Sequence, residues 1–341
     1  MDDRQPPVTR KPEWTTDTDR GTACILCPRA CLWTADRPLG ACRVRGLENG
    51  VPALPGYGRC VSLSIDPIEK KPLFHFAPGS MILSTGPAGC NLACDFCQNW
   101  SISQSDYVPA RYVSPRELAD LAFMEGSSGI AYTYTEPTVW FEYIVDSAPL
   151  VRERGGSVVM VSNGYVNPGP LEALLEVTDA WNVDIKAWSD DFYRERCDGR
   201  RDAVLRSIEI IAGSGRHLEL TFLVIPGYND DPAEWAEMAS WIRETCGADT
   251  PVHVSRYFPR YRLQAPPTPA GTIREAVELF SRQLNFVYPG NLHGEADTTC
   301  PSCGATVIRR RGYSTDVSGL EGGRCGSCGA DLGIVDASAE G

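Results

Sequence analysis

Residues 86–100, Gly-Pro-Ala-Gly-Cys-Asn-Leu-Ala-Cys-Asp-Phe-Cys-Gln-Asn-Trp, place Cys90, Cys94 and Cys97 in a C-x3-C-x2-C loop directly after the apolar run MILST, 81–85. Three thiolates this close can each ligate a different iron of one cubane iron–sulfur cluster, leaving the fourth iron open to an external ligand. A zinc ion would need a fourth protein ligand, and structural cysteines have no reason to crowd onto a Gly-rich loop at a strand end. The spacing and its context point to the cluster.

Outward from this loop, strand and helix patterns alternate from about residue 80 to 290. MILST (81–85), GIAYTYT (129–135), SVVMVSN (157–163), AWNVDIK (180–186), HLELTFLVI (217–225) and PVHVSRY (251–257) read as strands. Ser114-Pro115-Arg116-Glu117 is a capping box with Pro at the first helical position, and further helices are expected at 170–177, 203–213, 232–246 and 272–284. Six βα units in succession imply an α/β fold with a parallel sheet, closed or partly closed into a (β/α)6 partial TIM barrel. A doubly wound open sheet is the alternative. The strand carboxyl ends read GCN, TEP, SNG, DIK, IPGYND and SRY, polar at each step, and ligands of such barrels gather at that face.

The whole chain has 341 residues, 43% hydrophobic and 22% charged, which excludes a disordered or fibrous protein. Its net charge of −12 disfavours a nucleic-acid or anionic-membrane partner. RRRG at 309–312 is the one basic run and reads as a solvated face. No apolar stretch is long enough to span a bilayer, and MDDRQPPVTRKPEW lacks the apolar region of a secretory signal, so a cytoplasmic location is expected. In that reducing compartment, the three tight groups that hold eleven of the 14 cysteines mean metal rather than disulfides.

The boundaries drawn from these patterns are a flexible N-terminus (1–20), a Cys-rich metal-binding segment (21–75), the barrel (76–295), and a separate C-terminal module with its tail (296–341). Cys300, Cys303, Cys325 and Cys328 form two C-x2-C knuckles, with Gly304, Gly326 and Gly329 permitting tight turns. Zinc in a closed four-thiolate site is expected, with rubredoxin-like iron the alternative. Cys24, Cys27, Cys31 and Cys42 read as a second metal site, zinc or an auxiliary iron–sulfur cluster, with zinc slightly preferred. Cys60, Cys197 and Cys246 read as buried small hydrophobes.

C-x3-C-x-aromatic-C, with Phe96 as the aromatic, resembles the signature of radical S-adenosylmethionine (radical SAM) enzymes. KPLFHFAPGS, GCNLACDFCQNWSIS, YTYTEPTVW, VSNGY, NVDIKAWSDDFY, LVIPGYNDD and HVSRYFPRY further resemble blocks of the AmmeMemoRadiSam-system radical SAM enzyme, a relative of the pyruvate formate-lyase activating enzymes. The resemblance implies a [4Fe–4S] cluster on Cys90, Cys94 and Cys97, with SAM chelating the open iron. Reductive cleavage of SAM would then give a 5′-deoxyadenosyl radical that abstracts hydrogen from a substrate such as a peptide or protein residue.

It also implies Phe96 near the adenine and Glu136 at the methionyl amino group. Asn163, Asp184 and Lys186 would hold the ribose and methionyl carboxylate. Thr135 is a further implied SAM contact, although Tyr134-Thr135-Glu136 stands where many relatives carry Gly-Gly-Glu, so both glycines are replaced. His253 and Arg256 are candidates for substrate or distal SAM contact, against the simpler reading of His253 as a satisfied core histidine. Memo-like and AMMECR-like proteins are the implied partners, with flavodoxin or ferredoxin as electron donor. A glycyl-radical-enzyme activase and a non-catalytic metal-ribbon scaffold remain the alternative readings.

Overall fold

Alternating side chains along successive apolar runs build one sheet, with a helix layer on one face and a plug of chain on the other. The computed structural model describes residues 10–124, 126–292 and 296–336. The sheet has eight strands: β1 (Leu63–Pro67), β2 (Met81–Thr85), β3 (Ser127–Tyr132), β4 (Ser157–Ser162), β5 (Ala180–Ile185), β6 (His217–Val224), β7 (Val252–Arg256) and β8 (Val287–Gly290). They lie side by side in chain order. β1 is antiparallel to β2, and every later pair is parallel. Sequential order has no reversal point, so the doubly wound alternative is excluded. Among the described residues the outer strands β1 and β8 do not pair with each other.

The connecting helices are α1 (Pro115–Leu121), α2 (Phe141–Arg152), α3 (Pro168–Val177), α4 (Arg201–Gly213), α5 (Pro232–Cys246) and α6 (Ala270–Phe280), each packed on the next. Caps fix their starts. Ser114 Oγ accepts the Glu117 amide at 3.2 Å ahead of α1, and Asp231 accepts the Ala233 amide at 2.8 Å ahead of α5. The sequence pattern did not reveal α2, because Pro149 lies inside it. Burial of Phe141, Ile144, Ala148 and Val151 against the sheet holds that helix, each large apolar side chain being worth about 1.5–3 kcal/mol. No described helix is long and apolar enough to cross a membrane.

On the helix side, Ile130, Val158, Trp181, Leu220 and Val254 enter the main core. On the opposite face, Ile82, Ala131, Val159 and Ala180 pack with Ile68, Leu73, Phe76 and Ala77. The 68–77 segment therefore plugs one end of that face with apolar side chains. The other end, toward the strand carboxyl termini, keeps the polar groups described below.

Three expectations are corrected. Thr15–Thr18 is not loose: it pairs antiparallel with Gly21–Cys24, and Trp14 meets Phe141 edge to face at 5.7 Å. The C-terminal module is not separate, since Phe286 and Tyr288, flanking and within β8, share a core with Val307, Ile308, Leu332 and Ile334. Within 309–312 only Arg309, Arg311 and Gly312 face solvent. Arg310 is buried, donating to the carbonyls of Phe74 and Ala296 at 2.8 and 2.9 Å and stacking 4.1 Å over the Phe74 ring.

Candidate metal centre at the strand carboxyl ends

The cysteine loop leaves β2 and is held by backbone bonds to distant segments. Ala93 and Asp95 amides donate to the Cys197 and Arg196 carbonyls at 2.9 and 3.0 Å, and the Gly89 amide to Ile102 at 2.9 Å. Tyr193–Cys197 is a π-helical turn, a local irregularity often found beside functional sites. Gly89 has φ +130°, and a Cβ there would stand 1.9 Å from the Cys42 carbonyl oxygen, so only glycine lets the loop and the N-terminal cysteine segment meet.

Donors stand beside two of the three sulfurs. Cys90 Sγ accepts from the Leu92 amide at 3.4 Å and from Asn163 Nδ2 at 3.5 Å. Cys97 Sγ lies 3.2 Å from the Ser103 hydroxyl. Cys94 has the Cys197 sulfur within hydrogen-bond reach and lies in the field of the Lys186 ammonium. With no metal, burial and neighbouring anions push the Cys90 thiol far above its usual range, while the adjoining sulfur of Cys197 and burial do the same for Cys94. Metal ligation supplies the positive charge that would hold such thiolates ionised. A loop carrying three thiols, ringed by N–H and O–H donors and a lysine, fits an anionic iron–sulfur cluster.

Asn163, after β4, is the pivot. Besides Cys90, its Nδ2 donates to Asn91 Oδ1 at 3.0 Å, and its Oδ1 accepts the Tyr165 amide at 2.8 Å. Glu136, after β3, is fully buried and accepts four bonds from its own chain. These come from the Thr138 amide and hydroxyl at 3.0 and 2.7 Å, the Ser162 hydroxyl at 2.8 Å and the Asn163 amide at 2.7 Å. The structure thus places Glu136 behind Asn163. Tyr134 keeps a left-handed backbone, φ +69°, which a glycine would adopt without the cost of about 1–2 kcal/mol. Its hydroxyl donates to Asp66 at 2.8 Å, and Thr135 Oγ1 donates to the Pro87 carbonyl at 2.8 Å.

Lys186 and Asp184 meet at 2.6 Å at the end of β5. Burial opposes the Lys186 charge, but Asp184 overrides it and raises the ammonium's pKa. Phe96 is buried against Phe192, ring centroids 5.6 Å apart. His253 is a core residue bound to Glu219 at 2.7 Å, so the simpler reading holds for it. Arg256 donates to the Thr268 carbonyl at 2.8 Å and stacks 5.0 Å over Phe258. Asn91, Ser103 and Cys197 join the site without any signal in the sequence, because each is an ordinary residue brought in by the folded loop.

At the C-terminus, Cys300 and Cys328 sulfurs lie 3.7 Å apart, as do those of Cys303 and Cys325. All four stand within 4.8 Å of one another, the one set of three or more such ligands among the described residues that does so. Two matching turns build it: Gly304 N donates to Cys300 O at 2.9 Å and Gly329 N to Cys325 O at 2.7 Å, both glycines at φ near +74°. Gly326 is not left-handed; its space is limited by the Gly319 carbonyl instead. This four-cysteine site can hold a single metal ion.

Residues 86–239 match the Radical SAM superfamily. Over 325 residues the chain is 40% identical to an uncharacterized protein of Methanocaldococcus jannaschii, spanning 93% of this chain and 96% of that one. Over 162 residues it is 22% identical to the pyruvate formate-lyase 1-activating enzyme of Escherichia coli K12, spanning 46% of this chain and 66% of that enzyme. A radical SAM methyltransferase from Sphaerobacter thermophilus superposes with TM-score 0.49 at 14% identity, over 61% of this chain and 68% of that one. The chain belongs to the radical SAM superfamily and is related to pyruvate formate-lyase activating enzymes.

Proposed function

We propose that the chain is a catalytic radical SAM enzyme in which Cys90, Cys94 and Cys97 would hold a [4Fe–4S] cluster that binds SAM. The observation that carries this reading is the donor-ringed cysteine loop at the carboxyl end of β2, facing Asn163 and Lys186. When bound, the cluster and SAM supply one-electron chemistry and a hydrogen-abstracting radical. Asn163 would fix the Cys90 sulfur, and Glu136 fixes Asn163. Lys186, kept charged by Asp184, offers a cation for a carboxylate such as the methionyl end of SAM. The singly wound strand order favours the partial-barrel reading, and close sulfur spacing favours zinc at the C-terminal four cysteines.

A peptide or protein substrate is favoured by the rim of the site. Trp100, Tyr228 and Phe258 are exposed, and Trp100 stacks on Tyr261 at 5.3 Å. Arg196, Arg256 and Arg262 each lie over one of these rim aromatics, Tyr228, Phe258 and Tyr261. All are tied to the cysteine loop, through Gln98 to Phe258, Asp95 to Arg196 and Arg262, and Trp100 itself. Aromatic and arginine surfaces of this kind suit polypeptide partners. Memo-like and AMMECR-like proteins are the proposed partners on family resemblance, and co-purification with them tests that assignment.

The enzyme reading is tested by anaerobic reconstitution with iron and sulfide, reduction, addition of SAM, and quantification of 5′-deoxyadenosine. Formation by the wild type, abolished when Cys90, Cys94 and Cys97 are changed to Ala, is expected. Equal formation by the triple variant would overturn the proposal.

A further inference from the structure

The N-terminal cysteines differ from the C-terminal four in three ways. Cys24, Cys27, Cys31 and Cys42 line a common cavity together with Leu26, Trp33, Arg45 and Val139. Yet their sulfurs do not gather within the 4.8 Å that the C-terminal four satisfy, a distinction that holds among the described residues. A single tetrahedral ion with Zn–S bonds of about 2.3 Å draws its four sulfurs to within about 4 Å of one another. A cubane puts each thiolate on a different iron, so its sulfurs stand around a larger core.

Burial is the second difference. Cys24, Cys27 and Cys42 are all buried, whereas Cys303 and Cys328 are exposed. The third is a pair of unmet donors. Trp33 and Arg45, each 1% exposed, line the cavity, and neither Trp33 Nε1 nor Arg45 Nε has a hydrogen-bond partner. The rest of the Arg45 guanidinium is committed to Glu142 and the Glu13 carbonyl. Buried N–H groups without acceptors are costly, so the cavity wall calls for acceptors inside it. Bridging sulfides and thiolate sulfurs are such acceptors.

We propose that Cys24, Cys27, Cys31 and Cys42 ligate a second [4Fe–4S] cluster rather than zinc, with Trp33 and Arg45 donating to its sulfurs. Four cysteine ligands leave no open iron, so this cluster cannot bind SAM. It adjoins the other centre: Asn91 lines the cavity, accepts Arg29 Nε at its carbonyl, and shares Asn163 with Cys90. The proposal deepens the enzyme reading but does not depend on SAM turnover.

The test uses the full chain with Cys90, Cys94 and Cys97 changed to Ala, reconstituted anaerobically, with iron, sulfide and zinc measured per chain. About four irons and four sulfides should remain, giving a reduced-cluster EPR signal that SAM does not alter. In otherwise wild-type protein, Trp33→Phe removes one donor while conserving bulk. It should lower the midpoint potential of the SAM-insensitive signal without moving the SAM-sensitive one. A triple variant that is folded by circular dichroism but holds two zinc ions and no sulfide would overturn the assignment. A second cluster whose potential ignores Trp33→Phe would remove Trp33 from it. Loss of 5′-deoxyadenosine formation in the wild type, with the SAM-insensitive cluster intact, would sink the enzyme reading alone.

Discussion

Glu136 shows how a carboxylate at a strand end is held by its own chain. Its carboxylate accepts four hydrogen bonds, and every donor is an N–H or O–H of the chain. Burial raises its pKa, with those bonds pulling the other way. Glu136→Gln conserves shape but turns one acceptor into a donor facing donors. The expected cost is about 1–3 kcal/mol in urea unfolding, together with weaker retention of the Cys90 cluster as the Asn163 amide shifts. An unchanged unfolding midpoint would contradict the network. The sequence marked Glu136 and Asn163 by strand-end position, but their mutual bond depends on β3 and β4 being neighbours.

At the scale of elements, the cysteine loop depends on chain far from it. Gly89 receives the Cys42 carbonyl, and Arg29 binds the Asn91 carbonyl. Gly89→Ala therefore pushes apart two cysteine-bearing segments at once. Iron bound per chain should fall by at least half relative to wild type, whereas Gly126→Ala, at a left-handed turn with open space around the added carbon, should leave iron content unchanged. Equal iron in wild type and Gly89→Ala would show that the loops do not meet as described. The strands of β2 to β7 were legible from their apolar runs, because each is bounded by turn residues. β1 and β8 were not: β1 carries Asp66 and β8 carries Pro289, which an edge strand tolerates and a hydrophobic pattern hides.

Across the whole molecule, a buried polar chain ties plug, sheet and C-terminal module together. Glu219 on β6 accepts the Phe74 and His75 amides at 2.9 and 2.7 Å, with His217 and His253 at 3.0 and 2.7 Å. His75 Nδ1 donates to the Leu332 carbonyl at 3.2 Å, so its Nε2 accepts from Tyr288 at 2.6 Å. Tyr288 meets Thr298 at 2.9 Å, which Arg310 reaches at 2.8 Å. Burial pushes the His75 pKa from 6.5 down to about 3. The folded protein thus keeps His75 neutral while the unfolded chain protonates it below its ordinary value. Stability is complete above about pH 6.5 and declines as pH falls toward 3, by up to about 1.4 kcal/mol per pH unit from this group.

Glu219 acts in the same direction: burial opposes its charge, but the two histidines hold its pKa below 4.5, so its contribution is lost as pH falls below that value. Urea unfolding at pH 7 and pH 5 should show the wild type less stable at pH 5. His75→Gln should be weaker at pH 7 but show a shallower change, and identical slopes would contradict a neutral His75.

The sequence alone determined the α/β class, the clustering of the cysteines into three groups and the loop that begins the site. Those features are local: apolar alternation, capping residues and ligand spacing are written within a few residues of one another. Only the tertiary structure decided the singly wound order, the burial of Glu136 behind Asn163, and the union of the C-terminal module with β8. It also set how the sulfurs of each four-cysteine group stand and which donors beside them are unmet, since both depend on segments that meet only on folding.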